Sequence, residues 1–279
     1  MRRCLLSFDV EDWFQVENLR GAIPRESWDD CELRVIQNTA RILDLLDCFG
    51  RKATFFVLGW VAHKVPGLVK EIAKRGHEVA SHGYSHELVY RQSEEAFRED
   101  VRRAKWLLED LIGDSVVGYR APSFSLTDRG LRILWEEGYR YDSSVFPSSL
   151  HDRYFRPREV ESALHSGVGR THDGLVEILV PTLDVGPLRI PWGGGGYFRA
   201  VPYGVYRWGV NRILGQRGVF LFYLHPWEID AEQPRVRGLS WSLRQRHYLG
   251  LANTYGKVAR LIADYPWEPV SAVVSAPGA

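Results

Sequence analysis

Short apolar runs alternate along this chain with longer stretches whose apolar positions recur every three to four residues. The runs at 4–8, 53–58 and 219–224 are apolar almost throughout, the pattern of strands covered on both faces, and the shorter segments 77–81, 116–119 and 139–142 read as further strands. Between them, 32–49 carries Leu33, Ile36, Ala40, Leu43 and Leu46 at helical spacing, and 93–111 carries Phe97, Val101, Ala104, Leu108 and Leu111. Gly50 and Gly76 stand where helices end, Pro66 opens a helix through 75, and Thr127 caps one through 137. Helices over 202–214 and 243–263 and a last strand over 270–274 complete the set. Strand and helix alternate up to residue 142, which predicts an α/β fold with a mainly parallel sheet and covering helices.

The rhythm is irregular over 14–28 and loosens over 146–200. The four glycines at 193–196 lack the spacing of a phosphate-binding loop, so they predict close backbone packing or a loop. No repeat or low-complexity linker divides the chain. The expectation is one domain over 1–279, with an insertion near 145–215 and an extension from about residue 228.

Composition narrows the function. A net charge of +1 gives no field to draw nucleic acid or an anionic membrane. No apolar stretch approaches the ~18 residues of a membrane span. The apolar run after Arg2 and Arg3 breaks at Asp9, too early for a secretory signal. Cys4, Cys31 and Cys48 have no metal-type spacing and cannot all pair. A cytoplasmic location is the expectation. Aromatic content is 13% with ten Trp; Trp192, Tyr197 and Phe198 read as core before they read as sugar platforms.

Chemistry-bearing residues collect where strands end: Asp9, Glu11 and Asp12; His82 and His86; Arg120; Asp142; His225. In a parallel sheet or barrel those ends share one rim. His82 and His86 lie four apart in Ser81-His82-Gly83-Tyr84-Ser85-His86, and one loop turn lets both imidazoles reach a divalent metal. His151, His165 and His172 read as loop residues.

Four segments in order carry a resemblance: SFDVED, SHGYSH, GYRAPSFS and FYLHPWE. Together, over residues 4 to about 228, they resemble the polysaccharide deacetylases, the NodB-homology or carbohydrate esterase family 4 domain. PWGGGGYFRAVPY and HPWEIDAEQPR are similar to the branch linked with exosortase (PEP-CTERM) exopolysaccharide biosynthesis. The resemblance implies a distorted (β/α) barrel and a hydrolase that removes N-acetyl groups from an N-acetylated oligo- or polysaccharide, in association with exopolysaccharide machinery. It implies one divalent metal, zinc first, with cobalt, nickel or manganese as alternatives.

It also implies roles. Asp9 would be the base, His82 and His86 metal ligands, and His225 the acid, with Asp142 as its supporting carboxylate. The family's first motif has two adjacent aspartates, whereas Asp9-Val10-Glu11-Asp12 does not. The metal carboxylate is therefore Glu11 or Asp12, and an alternative register makes Glu11 the base and Asp12 the ligand. Arg120 would orient Asp9 or serve as a buried ion pair, and both roles are compatible. Substrate contacts fall at Tyr84, whose backbone N–H would meet the oxyanion, and at Pro122 and Trp227. Hydrolysis of a small cyclic amide and non-catalytic saccharide binding are the competing functions. The intact His-x-x-x-His and the C-terminal segments speak against the first, and the full set of acids with His225 against the second.

Overall fold

The computed structural model describes residues 2–147 and 166–274. Its centre is β1 (Arg3–Val10), seven of whose eight residues are buried. β1 pairs in parallel with β10 (Val219–Leu224) on one side and with β2 (Thr54–Val57) on the other. The sheet continues through β3 (Glu78–Ser81), β4 (Gly118–Tyr119), β5 (Tyr141–Asp142) and β7 (Val176–Ile178), all parallel, and ends on antiparallel β6 (Val168–Arg170). The result is a mostly parallel sheet curled into a half-barrel and backed by helices. This is the distorted (β/α) barrel that the motif order implied.

The covering helices are α1 (Val35–Cys48), α2 (Gly59–Lys64), α3 (Pro66–Lys74), α4 (Glu94–Ile112) and α5 (Asp128–Glu136). A hairpin of β8 (Thr182–Val185) and β9 (Leu188–Pro191) follows, then α6 (Gly195–Ala200) and α7 (Tyr203–Arg217). Ser93 and Thr127 cap α4 and α5 by accepting N–H bonds from Ala96 and Gly130.

Strand alternation divides the core into two clusters. Cys4, Leu6, Phe8 and Val10 of β1 pack outward under the helices, with Phe55, Val79, Phe220, Phe222 and Leu224. Leu5, Phe56, Ala80, Leu221 and Tyr223 pack inward. The inward parity continues upward to Ser7 and Asp9 on β1 and to His82 and His225 just past β3 and β10. The apolar floor and the polar rim are two levels of one interior.

The expected helix over 243–263 is two helices, α8 (Trp241–Tyr248) and α9 (Leu251–Asp264). Gly250 separates them at φ +77, with the carbonyl oxygen of Arg199 only 2.8 Å from where a Cβ would sit. The expected strand over 270–274 is instead a helical turn, α10 (Ser271–Val274). Val270 and Val273 close the apolar floor of the barrel, and the Val270 N–H donates to Thr54 Oγ1 at 2.7 Å. Burial overrides the β preference of these valines. The short strand β11 (Trp267–Glu268) pairs with the lower part of β1 instead. Of the four glycines, Gly193 and Gly194 lie against Pro181 and Tyr223 with no room for a Cβ, so close packing is their role.

Candidate functional site

Arg120 follows β4 and is fully buried. Its Nη1 donates to Asp9 Oδ1 at 2.6 Å and to Ser7 Oγ at 2.9 Å. Nε and Nη2 donate to the carbonyl and hydroxyl of Ser143, each at 3.0 Å, and the guanidinium lies 4.1 Å over the Phe56 ring. Asp9 therefore has one oxygen fixed and the other, Oδ2, turned toward His225 Nε2 at 3.8 Å.

Glu11 stands beside it, 2% exposed. Its Oε2 is 2.6 Å from His86 Nε2 and its Oε1 is 3.2 Å from His225 Nε2. Burial raises the Glu11 pKa, but the His86 and His225 charges outweigh it and hold the group at about 2. The short contact of Oε2 to His86 lacks hydrogen-bond geometry, so a buried carboxylate oxygen is left without a donor. His82 donates from Nδ1 to the carbonyl of Arg120 at 2.8 Å, which leaves Nε2 with its lone pair. Burial pushes the His82 pKa down to about 4, so the ring is neutral at pH 7. Glu11, His82 and His86 each present a ligand atom, all within 4.8 Å of one another. Two imidazoles, one carboxylate and an unsatisfied buried oxygen fit a divalent cation such as zinc.

The loop carrying the histidines is held from below. Gly83 has φ +70, and a Cβ there would lie 2.8 Å from Asp100 Oδ2. The Asp100 carboxylate, on α4, accepts the N–H groups of Tyr84 at 2.7 Å and Ser85 at 2.9 Å. His86 itself has φ +56, a strained backbone at a functional position. The Tyr84 N–H is thus committed to Asp100, and its hydroxyl accepts from Arg103. This corrects the expectation that Tyr84 would meet substrate.

Four further expectations are refined. Asp12 is absent from the ligand cluster: Oδ2 accepts the N–H groups of Arg34 and Val35 at the start of α1, and Oδ1 accepts that of Trp13. It caps a helix, so between Glu11 and Asp12 only Glu11 faces the histidines. Asp142 makes no contact with His225. It accepts from Ser144 N and Oγ beside Glu177, and Ser144 Oγ accepts the Ala121 N–H at 2.7 Å, which anchors the segment after Arg120. Burial raises the pKa of both Asp142 and Glu177; the Asp142 carboxylate raises Glu177 further, while the hydrogen bond with Glu177 works against the rise at Asp142. Pro122 is buried, and the next residues, Ser123 and Phe124, both at positive φ, border the catalytic cavity instead. Trp227 stacks between His225 and His247, with ring centroids 5.5 Å and 4.5 Å away, and borders a neighbouring cavity. His172 is exposed; His151 and His165 lie outside the described residues.

Glu228 is the carboxylate on His225. Its Oε1 accepts from His225 Nδ1 at 2.8 Å and from the His225 backbone N–H at 3.2 Å. Its Oε2 pairs with buried Arg199 Nε at 2.8 Å, a charge contact whose N–H does not point at the oxygen. Burial lowers the His225 pKa, but Glu11 and Glu228 overcome it and raise the group to about 9. The one sequence signal for Glu228 was its spacing, three residues after His225 across Pro226. Arg199 gave none.

A family model described as polysaccharide deacetylase matches residues 27–141, and one described as a domain of unknown function, DUF3473, matches residues 143–275. The deacetylase match covers less than half of the chain, and over that segment the chain is similar to the family. A peptidoglycan-N-acetylglucosamine deacetylase of Bacillus cereus is 33% identical over 104 residues, 37% of this chain and 38% of that one. A peptidoglycan deacetylase of Helicobacter pylori is 31% identical over 120 residues, 42% of this chain and 40% of that one. The matched stretch thus spans well under half of either relative. A crystal structure from Mycobacterium smegmatis, assigned as a polysaccharide deacetylase, superposes over 98% of this chain and 89% of that one, with a TM-score of 0.61 and 23% identity. That likeness concerns the fold. Asp9, Glu11 and His225 all lie outside the matched deacetylase segment, and His225 and Glu228 fall within the DUF3473 match.

Proposed function

We propose that this chain is a metal-dependent hydrolase that removes N-acetyl groups from the sugars of a polysaccharide or its precursor. The observation that carries the reading is the convergence, on one rim, of the Arg120-held Asp9, the Glu11–His82–His86 cluster and His225. The relatives' names support an N-acetylhexosamine as the reacting sugar. The C-terminal segments similar to the exopolysaccharide branch support an exopolysaccharide or its precursor. The free thiols of Cys4, Cys31 and Cys48 support a reducing, cytoplasmic location.

Glu11, His82 and His86 would hold the metal, zinc first and cobalt, nickel or manganese as alternatives. When bound, such a cation supplies Lewis-acid polarisation of the amide carbonyl and a water of lowered pKa. The chain's own residues move the protons. Asp9, with Oδ1 fixed by Arg120, takes the proton of the attacking water on Oδ2. His225, kept protonated near pH 7 by the carboxylates of Glu11, Glu228 and Asp9, gives its Nε2 proton to the leaving amine. Glu228 fixes the ring through Nδ1 and keeps Nε2 facing the reacting group.

Asp9→Asn tests this. Metal content should stay near normal, while acetate release from N-acetylglucosamine oligomers falls by about 10²–10⁴-fold, the worth of one positioned proton carrier. An Asp9→Asn variant that turns over at the wild-type rate would remove Asp9 from the role of base.

A further inference from the structure

The catalytic cavity, about 130 Å³, opens into a larger one of about 450 Å³. The two share Val16, Asn18, Tyr223, His225 and Arg246. His225 thus stands on the boundary. As the residue that protonates the leaving amine, it marks the side on which the amine-bearing sugar must lie. The larger chamber therefore extends away from the reacting amide on the sugar side.

Its walls match a saccharide. Tyr197 and Trp227 offer aromatic surface, and Asn18 and Gln245 offer amides for hydroxyl groups. The charge at the junction is Arg246. The other arginine lining the chamber, Arg199, pairs with Glu228. Among the described residues, no carboxylate lies within ion-pair distance of Arg246, whose backbone carbonyl is held by Arg199 at 3.1 Å. An unpaired guanidinium at the mouth of a cleft is suited to a carboxylate or phosphate.

We propose that this chamber receives the substituent joined to the reacting N-acetyl sugar, and that Arg246 meets an anionic group on it, the carboxylate of a neighbouring sugar or a phosphate on the reacting one. The inference rests on the deacetylase reading for its orientation, but the chamber can be tested by binding alone. Gly196 gives the means: it is exposed, lies outside the left-handed region, and a Cβ there meets nothing within 4 Å. A large side chain at 196, on the chamber wall, therefore has room without displacing backbone. Ala200, exposed at the end of the same helix, offers a second position.

The ligands are an N-acetylglucosamine tetramer, a tetramer alternating N-acetylglucosamine with glucuronic acid, N-acetylglucosamine 1-phosphate and the neutral monosaccharide. Affinities are measured by calorimetry on the Asp9→Asn chain, and kcat/KM for acetate release on the chain with Asp9 intact. The expected result is that an anionic ligand binds about tenfold more tightly than its neutral counterpart of equal length. Arg246→Ala should erase the difference and Arg246→Lys should keep part of it. Which pair shows the gain, the tetramers or the monosaccharides, identifies the anion as carboxylate or phosphate. Gly196→Trp and Ala200→Trp should each lower the tetramer-to-monosaccharide affinity ratio about tenfold. Equal affinity for anionic and neutral ligands, or a tetramer ratio unmoved by both tryptophan variants, overturns the proposal. If acetate release persists alongside that result, the deacetylase reading stands without it. Chamber binding with no acetate from any N-acetyl sugar would instead overturn the deacetylase reading alone.

Discussion

The carboxylates of Glu11 and Asp12 leave the backbone one residue apart and end in different places, one among the histidines and one on the first turn of α1. Their neutral isosteres should separate accordingly. Glu11→Gln should weaken metal binding by about tenfold or more with little change in melting temperature. Asp12→Asn should leave metal affinity unchanged and cost about 1 kcal/mol of stability through the lost cap. Metal-binding calorimetry beside thermal melts reads both. Glu228 permits a pH prediction. With its charge gone, His225 loses one of the three carboxylates that raise its pKa, so Glu228→Gln should move the basic limb of the kcat/KM profile to lower pH. A basic limb that stays in place would detach Glu228 from the acid. At this scale the sequence was informative about residue types and less so about partners. Asp9, His82, His86, Arg120 and His225 were legible because each ends a strand. Asp142 was not separable from Glu228 as the support of His225, since nothing local shows that Ser144 and Glu177 already engage Asp142.

Elements carry the site by close backbone approach. Gly195 at the start of α6 packs so tightly on Glu228 that a Cβ would fall 2.3 Å from its carboxylate oxygens. Gly195→Ala should therefore displace Glu228, lowering both the melting temperature and turnover. Gly256, inside α9 with nothing within 4 Å of a Cβ, is the counterexample. Gly256→Ala should raise stability by about 0.5–1 kcal/mol, the ordinary gain at a compatible helical site. Thermal melts of the two variants should shift in opposite directions. The same contrast explains which elements were readable. β1, β10 and α4 announce themselves by uninterrupted local pattern. The break at Gly250 and the turn at 271–274 depend on Arg199 and on the barrel floor, both distant in sequence.

For the whole molecule, burial of neutral histidines links stability to pH. Burial, with nearby cations adding to it, pushes His77 and His247 down to about 4. An unfolded histidine takes up its proton near 6.5, so between those values the unfolded chain binds more protons than the folded one. Stability should be fully present above pH 6.5 and fall as pH drops toward 4. His247, 1% exposed, should contribute on the order of 3 kcal/mol of that loss. Melting temperatures of the metal-free chain from pH 7 to 4 should decline, and His247→Gln should flatten the slope. At this scale the alternation of helix and strand up to residue 142 made the parallel sheet legible, and the resemblance carried by the four motifs implied its curling into a barrel. Neither showed the way residues 191–200 and 245–249 wall a chamber beside His225.

On the proposed reading, a metal held by Glu11, His82 and His86 lets Asp9 and His225 hydrolyse an N-acetyl amide. The most direct measurement is acetate release from N-acetylglucosamine oligomers by the purified chain, followed through chelation and titration with zinc. Acetate and free amine should appear in equal amounts, vanish on chelation and return as zinc occupies one site per chain. Acetate release that chelation leaves untouched, or none at any metal occupancy, would contradict the account.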